Sequence, residues 1–272
     1  MTAFRTLDAL VTDLEAGAVI LVRADLNVPL DECGNVRDAT RLERLLPTLT
    51  ELSNAGYRVG VLSHFGRPKG QRNAEMSLAP VAQALGDLLG TAVAFADDCI
   101  GTVAAEALRG LDKGGVCVLE NTRFHAGEEA DDADFAAALA EAGDAYVNDA
   151  FSAAHRAHAS THGITTHLPT YCGRAMQTEL DALQAALGEP QRPLVAVVGG
   201  AKISTKLDLL GNLSAKVDIL VIGGGMANTF WLRKAKPSAH RCAKTLCWTQ
   251  HVPLWPRQNN KAAAFYCRAT PP

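Results

Sequence analysis

Short runs of apolar residues recur along the first part of the chain, and each run is followed by polar residues. The first run, at residues 19–22, is long enough to form a buried parallel strand. Beyond it, Arg23, Asp25 and Asn27 take alternate positions, as side chains on one side of an extended chain do. The same pattern predicts four further strands, at residues 58–63, 91–95, 115–119 and 145–147.

Helical periodicity fills most of the intervals between these runs. Asp38 is a suitable cap for a helix in which Leu42, Leu45 and Leu49 recur at helical spacing, and Gly56 ends it. Further helices are predicted over residues 78–89, 103–108 and 134–142. Because strand, loop and helix alternate, the fold class is α/β: a Rossmann-like parallel sheet with helices on both faces, in a complete N-terminal domain.

A second α/β pattern follows a long helical segment at residues 173–187, which Gly188 and Pro190 close. It comprises a strand at 194–198, a helix at 207–215 and a strand at 218–222. We therefore predict an N-terminal domain over residues 1–172 and a connecting helix and linker over 173–192. Residues 193–232 would be the incomplete start of a nucleotide-binding domain.

Composition limits the partners and the compartment. A chain of 272 residues suits about two domains. The net charge of -3 gives no reason to expect nucleic acid or an acidic membrane as partner. The seven cysteines form no C-x-x-C pair, so neither a disulfide framework nor a zinc site is indicated. With no 18-residue apolar stretch and no signal-peptide pattern, we expect a soluble, cytoplasmic protein.

Cations collect in the loops that follow the predicted strands. The segment from His64 to Gly70, H-F-G-R-P-K-G, is a rigid basic loop. The whole set of polar residues at strand ends is Arg23, Arg41, His64, Arg67, Arg123 and Arg156, together with Asp25 and Asn27. Ligands of α/β sheets bind beyond the carboxyl ends of the strands, arginine matches carboxylate and phosphate, and Asp and Asn suit a hydroxyl group. These residues describe a pocket for a small phosphorylated hydroxy acid; the alternative is a set of turns and solvated arginines.

Two glycine turns follow the strands of the second pattern. In G-G-A-K-I-S-T-K, backbone N–H groups between strand and helix can meet a phosphate, and Lys202 and Lys206 add positive charge. The spacing is not that of a P-loop. The second turn contains Gly223, Gly224 and Gly225 without the dinucleotide fingerprint, so it is either a surface for an adenine ring or simply a tight turn.

Five motifs together resemble the phosphoglycerate kinase family. R-A-D-L-N-V-P is similar to the signature of that family, and four others follow in the family's order: H-F-G-R-P-K-G, E-N-T-R-F, A-H-R-A-H-A-S and G-G-A-K-I-S-T-K. The resemblance runs from about residue 5 to about residue 232. It implies a kinase of glycolysis that transfers a phosphoryl group reversibly between 1,3-bisphosphoglycerate and ADP, giving 3-phosphoglycerate and ATP.

The resemblance also implies roles for individual residues. It assigns 3-phosphoglycerate to Asp25, Asn27, Arg41, His64, Arg67, Arg123 and Arg156. It assigns the nucleotide to Gly200, Ala201, Lys202, Lys206, Gly223, Gly224 and Gly225. Arg41 and Lys202 would be the catalytic pair that stabilises the transferring phosphoryl group. ATP or ADP would bring Mg²⁺, for which no protein ligand is identified, and the protein would be a monomer.

The family pattern stops near residue 233. No Asp or Glu follows Asp218, and all three tryptophans lie in the last 42 residues. We interpret residues 233–272 as a non-family tail, disordered or out of frame after a change of reading frame; a lineage-specific tail that binds a partner is the alternative. The chain would then be a C-terminally truncated kinase, and the competing functions are a non-catalytic 3-phosphoglycerate-binding fragment and a fragment without function.

Overall fold

The computed structural model describes residues 4–188, 190–200 and 206–226. The chain forms two compact units, Met1–Asp181 and Ala182–Pro272. The point of division falls within the long helix that the sequence predicts between the two α/β patterns. The predicted tail, residues 233–272, lies outside the described residues.

The first unit is built on a sheet of six parallel strands in the order β3-β4-β2-β1-β5-β6. The strands are β1 Val19–Arg23, β2 Arg58–Leu62, β3 Val93–Ala96, β4 Val116–Leu119, β5 Ala145–Asn148 and β6 Thr170–Cys172. The parallel α/β sheet predicted from the sequence is therefore confirmed. The pattern did not predict β6, because three residues are too few to show a period.

Helices cover both faces of this sheet. They are α1 Leu7–Asp13, α2 Thr40–Asn54, α3 Ala79–Leu89, α4 Gly101–Arg109, α5 Ala126–Ala130 and α6 Ala133–Ala140, and α7 Arg174–Leu187 follows β6. On β1, Ile20 and Val22 join the apolar cluster formed with α1, α2 and α3. Val19 and Leu21 point the other way, into a cluster with α4 and α6. Alternation along a strand thus supplies two cores, one on each face.

The strand order brings the polar loops together. β1 and β5 are neighbours near the centre of the sheet. The connection from β1 leads to β2 on one side of this pair, and the connection from β5 leads to β6 on the other side. Such a switch point leaves a crevice at the carboxyl ends of the strands. The loops after β1, β2, β4 and β5 all emerge along this edge. Short 3₁₀ turns at Thr122–Phe124 and Phe151–Ala153 lie in two of them.

The described part of the second unit is a β-α-β segment. Strands β7 Val195–Gly199 and β8 Ile219–Gly223 pair in parallel, and α8 Leu207–Lys216 connects them. Val198, Leu210 and Ile222 belong to its small apolar core. All three elements match their predicted positions to within about one residue. No helix among the described residues is long and apolar enough to cross a membrane.

Candidate anion-binding site

Asp25, in the loop after β1, is held by side chains from two other segments. Arg41 Nη1, in the first turn of α2, lies 3.0 Å from both carboxylate oxygens of Asp25 and 2.9 Å from the carbonyl oxygen of Asn27. The Ser152 hydroxyl, after β5, donates to Asp25 Oδ2 at 2.5 Å. The Arg41 side chain remains half exposed, so a ligand can reach it.

The basic loop after β2 is fixed at Gly66. The Gly66 N–H donates to Asn27 Oδ1 at 3.0 Å, and its carbonyl accepts from Arg123 Nη1 at 2.9 Å. Gly66 has a φ of +60°, which a residue with a side chain rarely adopts. The next residue, Arg67, is exposed and has no side-chain hydrogen bond or ion pair within the described part of the chain. Its guanidinium group is therefore available to a ligand.

Asn121, which the sequence did not single out, connects this loop to the end of β4. Its side chain is fully buried and accepts from the N–H groups of Phe65 and Arg123, both at 3.1 Å. Its amide donates to the carbonyls of Phe65 and Met76 at 2.7 and 2.9 Å. The only sequence signal for Asn121 was its place in E-N-T-R-F, two residues before Arg123. Asn121 uses its full hydrogen-bonding capacity on structure, so it positions the loop rather than the ligand.

His64 is neutral in this environment. Burial lowers its pKa to about 3, and the nearby charges of Arg23 and Arg123 contribute in the same direction. Arg23 Nη2 lies 3.0 Å from His64 Nδ1. Arg23 itself is only 1% exposed. The sequence places Arg23 among the ligand-facing cations, whereas the structure places it behind His64.

Positive charge accumulates beside His64. Arg123 is 5% exposed, and its pKa is lowered by burial and by the charges of Arg156 and Arg23, although Glu129 counteracts this. Arg123 Nε lies 3.0 Å from Glu129 Oε1 but does not form a hydrogen bond with it. Arg156 is exposed, and its side chain has no hydrogen bond or ion pair among the described residues. An anion bound here would relieve the repulsion between these cations.

A cavity of about 640 Å³ adjoins the other side of the Asp25–Arg41 pair. Its lining includes Pro47 of α2, Ser152 after β5 and Thr178 of α7. His64, Arg67, Arg123 and Arg156 do not line it. The structure therefore brings together Asp25, Asn27 and Arg41 as one group, and His64, Arg123 and Arg156 as a second that Gly66 joins to the first.

In the second unit, the two glycine turns meet at the carboxyl ends of β7 and β8. Gly224 has a φ of +64°, and a Cβ atom there would lie 3.2 Å from the backbone of Gly200. The Met226 N–H donates to the Gly200 carbonyl at 2.9 Å. Lys206 stands directly before α8 and near Gly200. Gly223 and Gly225 belong to the same turn, whereas Ala201 and Lys202 lie outside the described residues.

One group of metal-ligating side chains occurs in the described residues: Asp98, Cys99 and His125. His125 Nε2 already lies 2.7 Å from Asp98 Oδ1, which also accepts from the Cys99 N–H. Burial and the Asp98 charge raise the pKa of the Cys99 thiol, which opposes the thiolate that a metal requires. None of the three belongs to the predicted site. The described residues contain no other group of three such ligands close enough to share a metal ion.

Comparison with known proteins identifies the relatives of this chain. The sequence model of the family described as Phosphoglycerate kinase matches residues 11–258. A phosphoglycerate kinase of Granulibacter bethesdensis is 63% identical over 228 residues, which are 84% of this chain and 57% of the relative. One of Azorhizobium caulinodans is 61% identical over 247 residues, 91% of this chain and 60% of the relative.

Solved structures agree with these relatives. The structure of phosphoglycerate kinase from Coxiella burnetii superposes with a TM-score of 0.74 at 40% sequence identity. The match covers 85% of this chain and 57% of the Coxiella chain. That from Pyrococcus horikoshii has a TM-score of 0.72 at 31% identity and the same coverage. The chain thus spans less than two thirds of the length of these relatives. The family match continues past residue 233, where the sequence predicts a non-family tail, whereas the Granulibacter alignment covers 84% of the chain.

Proposed function

Because the chain belongs to the phosphoglycerate kinase family, we propose that its first unit binds 3-phosphoglycerate at the carboxyl ends of β1, β2, β4 and β5. The binding residues would be Asp25, Asn27, Arg41, His64, Arg67, Arg123 and Arg156. The observation that carries this proposal is the convergence of arginines around a neutral His64, with two guanidinium groups that have no partner among the described residues.

The chemistry of these residues indicates which group of the ligand each of them would bind. Arg67 and Arg156 can pair with phosphate oxygens, because guanidinium groups bind phosphate in bidentate geometry. The Asp25 carboxylate, oriented by Arg41 and Ser152, can accept from the hydroxyl of the ligand. Asn27 and Arg123 hold the Gly66 loop through backbone contacts and contribute their remaining donors.

We propose that the whole protein transfers a phosphoryl group reversibly between 1,3-bisphosphoglycerate and ADP. In the forward direction, the bond between the acyl oxygen and phosphorus breaks as a terminal oxygen of ADP bonds to that phosphorus. Such a transfer needs in-line positioning and neutralised charge rather than a covalent protein intermediate. Arg41 and Lys202 would supply that neutralisation. Gly200, Ala201, Lys206, Gly223, Gly224 and Gly225 would bind the nucleotide, which brings Mg²⁺ as part of the substrate.

The second candidate is a fragment that binds 3-phosphoglycerate without transferring phosphate. It is favoured by the described part of the second unit, which contains two strands and one small apolar core. A coupled assay of ATP-dependent turnover with the 272-residue chain separates the two candidates. Measurable turnover that Arg41→Gln abolishes excludes the pure binding fragment. A cytoplasmic location and a monomeric state are part of the proposal for the protein as a whole.

Calorimetric titration with 3-phosphoglycerate tests the binding proposal. Arg67→Gln and Arg156→Gln remove exposed guanidinium groups that make no side-chain contact in the described structure, so both variants should fold. Each should weaken binding roughly 10- to 100-fold, as expected for a lost charge-assisted hydrogen bond. Arg109→Gln, an exposed position on α4, is the matched control and should leave binding unchanged. Equal affinity in all four proteins, or no heat with the unsubstituted chain, would contradict the proposal.

A further inference from the structure

A row of four polar side chains runs from the interior of the first unit to the anion-binding loops. Glu128, on α5, accepts from the Ser160 N–H at 2.9 Å and from the Ser160 hydroxyl at 2.5 Å. Ser160 Oγ in turn accepts from Arg23 Nε at 2.8 Å. Arg23 Nη2 then lies 3.0 Å from His64 Nδ1. The row thus joins α5, the loop after β5, the end of β1 and the loop after β2.

The direction of each hydrogen bond follows from what the groups can do. A carboxylate only accepts, so the Ser160 hydroxyl donates to Glu128 and its lone pair receives the Arg23 Nε–H. A guanidinium group only donates, so His64 Nδ1 must accept from Arg23. A neutral imidazole with an accepting Nδ1 carries its proton on Nε2. The His64 Nε2–H makes no hydrogen bond within the described part of the chain.

Burial makes this row rigid. Glu128 and Ser160 are fully buried, and Arg23 is 1% exposed. The other end group of Arg23, Nη1, donates to the carbonyl of Ala24. A buried guanidinium group that gives up one of these partners leaves a charged donor without hydrogen bonds, which is costly. Arg23 therefore has one favourable orientation. The Glu128 carboxylate balances its positive charge, and the Ser160 hydroxyl lies between the two groups.

We infer that Ser160 and Glu128 are positioning residues: they orient Arg23, and Arg23 holds His64 with its proton on Nε2. In that state His64 presents a neutral N–H donor to an anionic ligand. The identity of that ligand, a carboxylate or phosphate oxygen of 3-phosphoglycerate, rests on the function proposed above. The protonation of the His64 ring does not depend on it.

Nitrogen NMR of the 272-residue chain labelled in its histidines tests this inference, since the two ring nitrogens have different shifts when one alone carries the proton. His64→Gln assigns the signals. In the unsubstituted protein, His64 should show a protonated Nε2 and an unprotonated Nδ1 at neutral pH. In Ser160→Ala, both signals should move toward the values of a mixture of the two neutral forms. Ser53→Ala, which loses a hydrogen bond to Gly114 instead, should leave them unchanged.

A protonated Nδ1 in the unsubstituted protein would overturn the inference, and so would unchanged His64 shifts in folded Ser160→Ala. Should Ser160→Ala fail to fold, Ser160→Cys keeps the volume with a weaker acceptor and should shift the same signals in the same direction; no shift again overturns it. Ser160→Ala and Glu128→Gln should also weaken 3-phosphoglycerate binding about fivefold, the effect of one hydrogen bond. Failure of the unsubstituted chain to bind would refute the proposed function but would leave the NMR result to decide the positioning role.

Discussion

Two buried acidic side chains near the anion-binding loops differ in how their oxygens are partnered. Glu128 receives two hydrogen bonds from Ser160, one at each carboxylate oxygen. Asp149, directly after β5, receives the Met176 N–H at Oδ1, but its Oδ2 has no hydrogen-bond partner in the described structure. Burial accordingly raises the pKa of Asp149, an effect that nearby Thr48 and Met176 only partly offset. Asp149 therefore contributes a cost to folding when ionised.

Asp149→Asn should stabilise the first unit at neutral pH by about 1 kcal/mol, because it removes a buried charge with an unpaired oxygen. The sign follows from the raised pKa: the ionised form disfavours folding above the unfolded value of 3.8, and the penalty vanishes below it. The gain should therefore disappear as the pH falls below 3.8. Urea unfolding across this pH range measures it, with exposed Asp112→Asn as the control. An unchanged or lower free energy of unfolding for Asp149→Asn at pH 7 would contradict the prediction.

At the scale of elements, Arg174 in the first turn of α7 contacts side chains of two other helices. Arg174 donates to both carboxylate oxygens of Glu51, on α2, at 2.6 and 2.7 Å, and to Asp8, on α1, at 2.8 and 3.1 Å. These contacts raise the pKa of Arg174, and Arg174 lowers the pKa of Asp8 to about 2. The arginine thus links the first turn of α7 to the two helices that pack beside it.

Arg174→Met should cost about 2 kcal/mol of unfolding free energy at neutral pH. Asp8 contributes little of this, because it is 72% exposed and solvent screens its charge. Asp8 has a lowered pKa, so its contribution is complete above 3.8 and is lost as the pH falls through about 2. The difference in unfolding free energy between the variant and the unsubstituted protein should therefore become smaller as the pH falls over that interval. Thermal unfolding at several pH values measures it. Arg44→Met, which removes an exposed pair with Glu179, should change little; an equal effect of both would refute the special role of Arg174.

The sequence predicts the elements well where a period is long enough to be seen. Five strands of the sheet and the helices α2, α3, α4, α6 and α7 follow from apolar runs and helical spacing. The pattern missed α1, α5 and β6, which are short and of mixed polarity. It placed the strand-end cations at one edge, but it could not distinguish exposed Arg67 from buried Arg23. That difference depends on Ser160, which lies 137 residues from Arg23 and becomes its neighbour only through the fold.

At the scale of the whole molecule, the first unit and the described part of the second differ in how many apolar residues they bury. The first has six strands with a core on both faces. The described part of the second has two strands and one small core, and its Val197 side chain is 74% exposed. A pair of strands has marginal stability without further packing. The apolar surface that it removes from water is too small to offset the entropy lost when the chain is ordered.

Hydrogen exchange followed by mass spectrometry should therefore separate the units. Amides of β1, β2 and β5 should exchange slowest, and those of β7 and β8 should exchange faster by roughly two orders of magnitude, which corresponds to about 3 kcal/mol of local stability. Saturating 3-phosphoglycerate should slow exchange across the first unit. A ligand at a free concentration of about 100 times its Kd stabilises the folded state that binds it by about 2.7 kcal/mol. Sulfate at the same ionic strength is the control for general anion effects. Because no β7 or β8 residue is assigned to this ligand, slowing of equal size in both units would mean that they unfold as one cooperative body, and the difference in their cores would then not govern their stability.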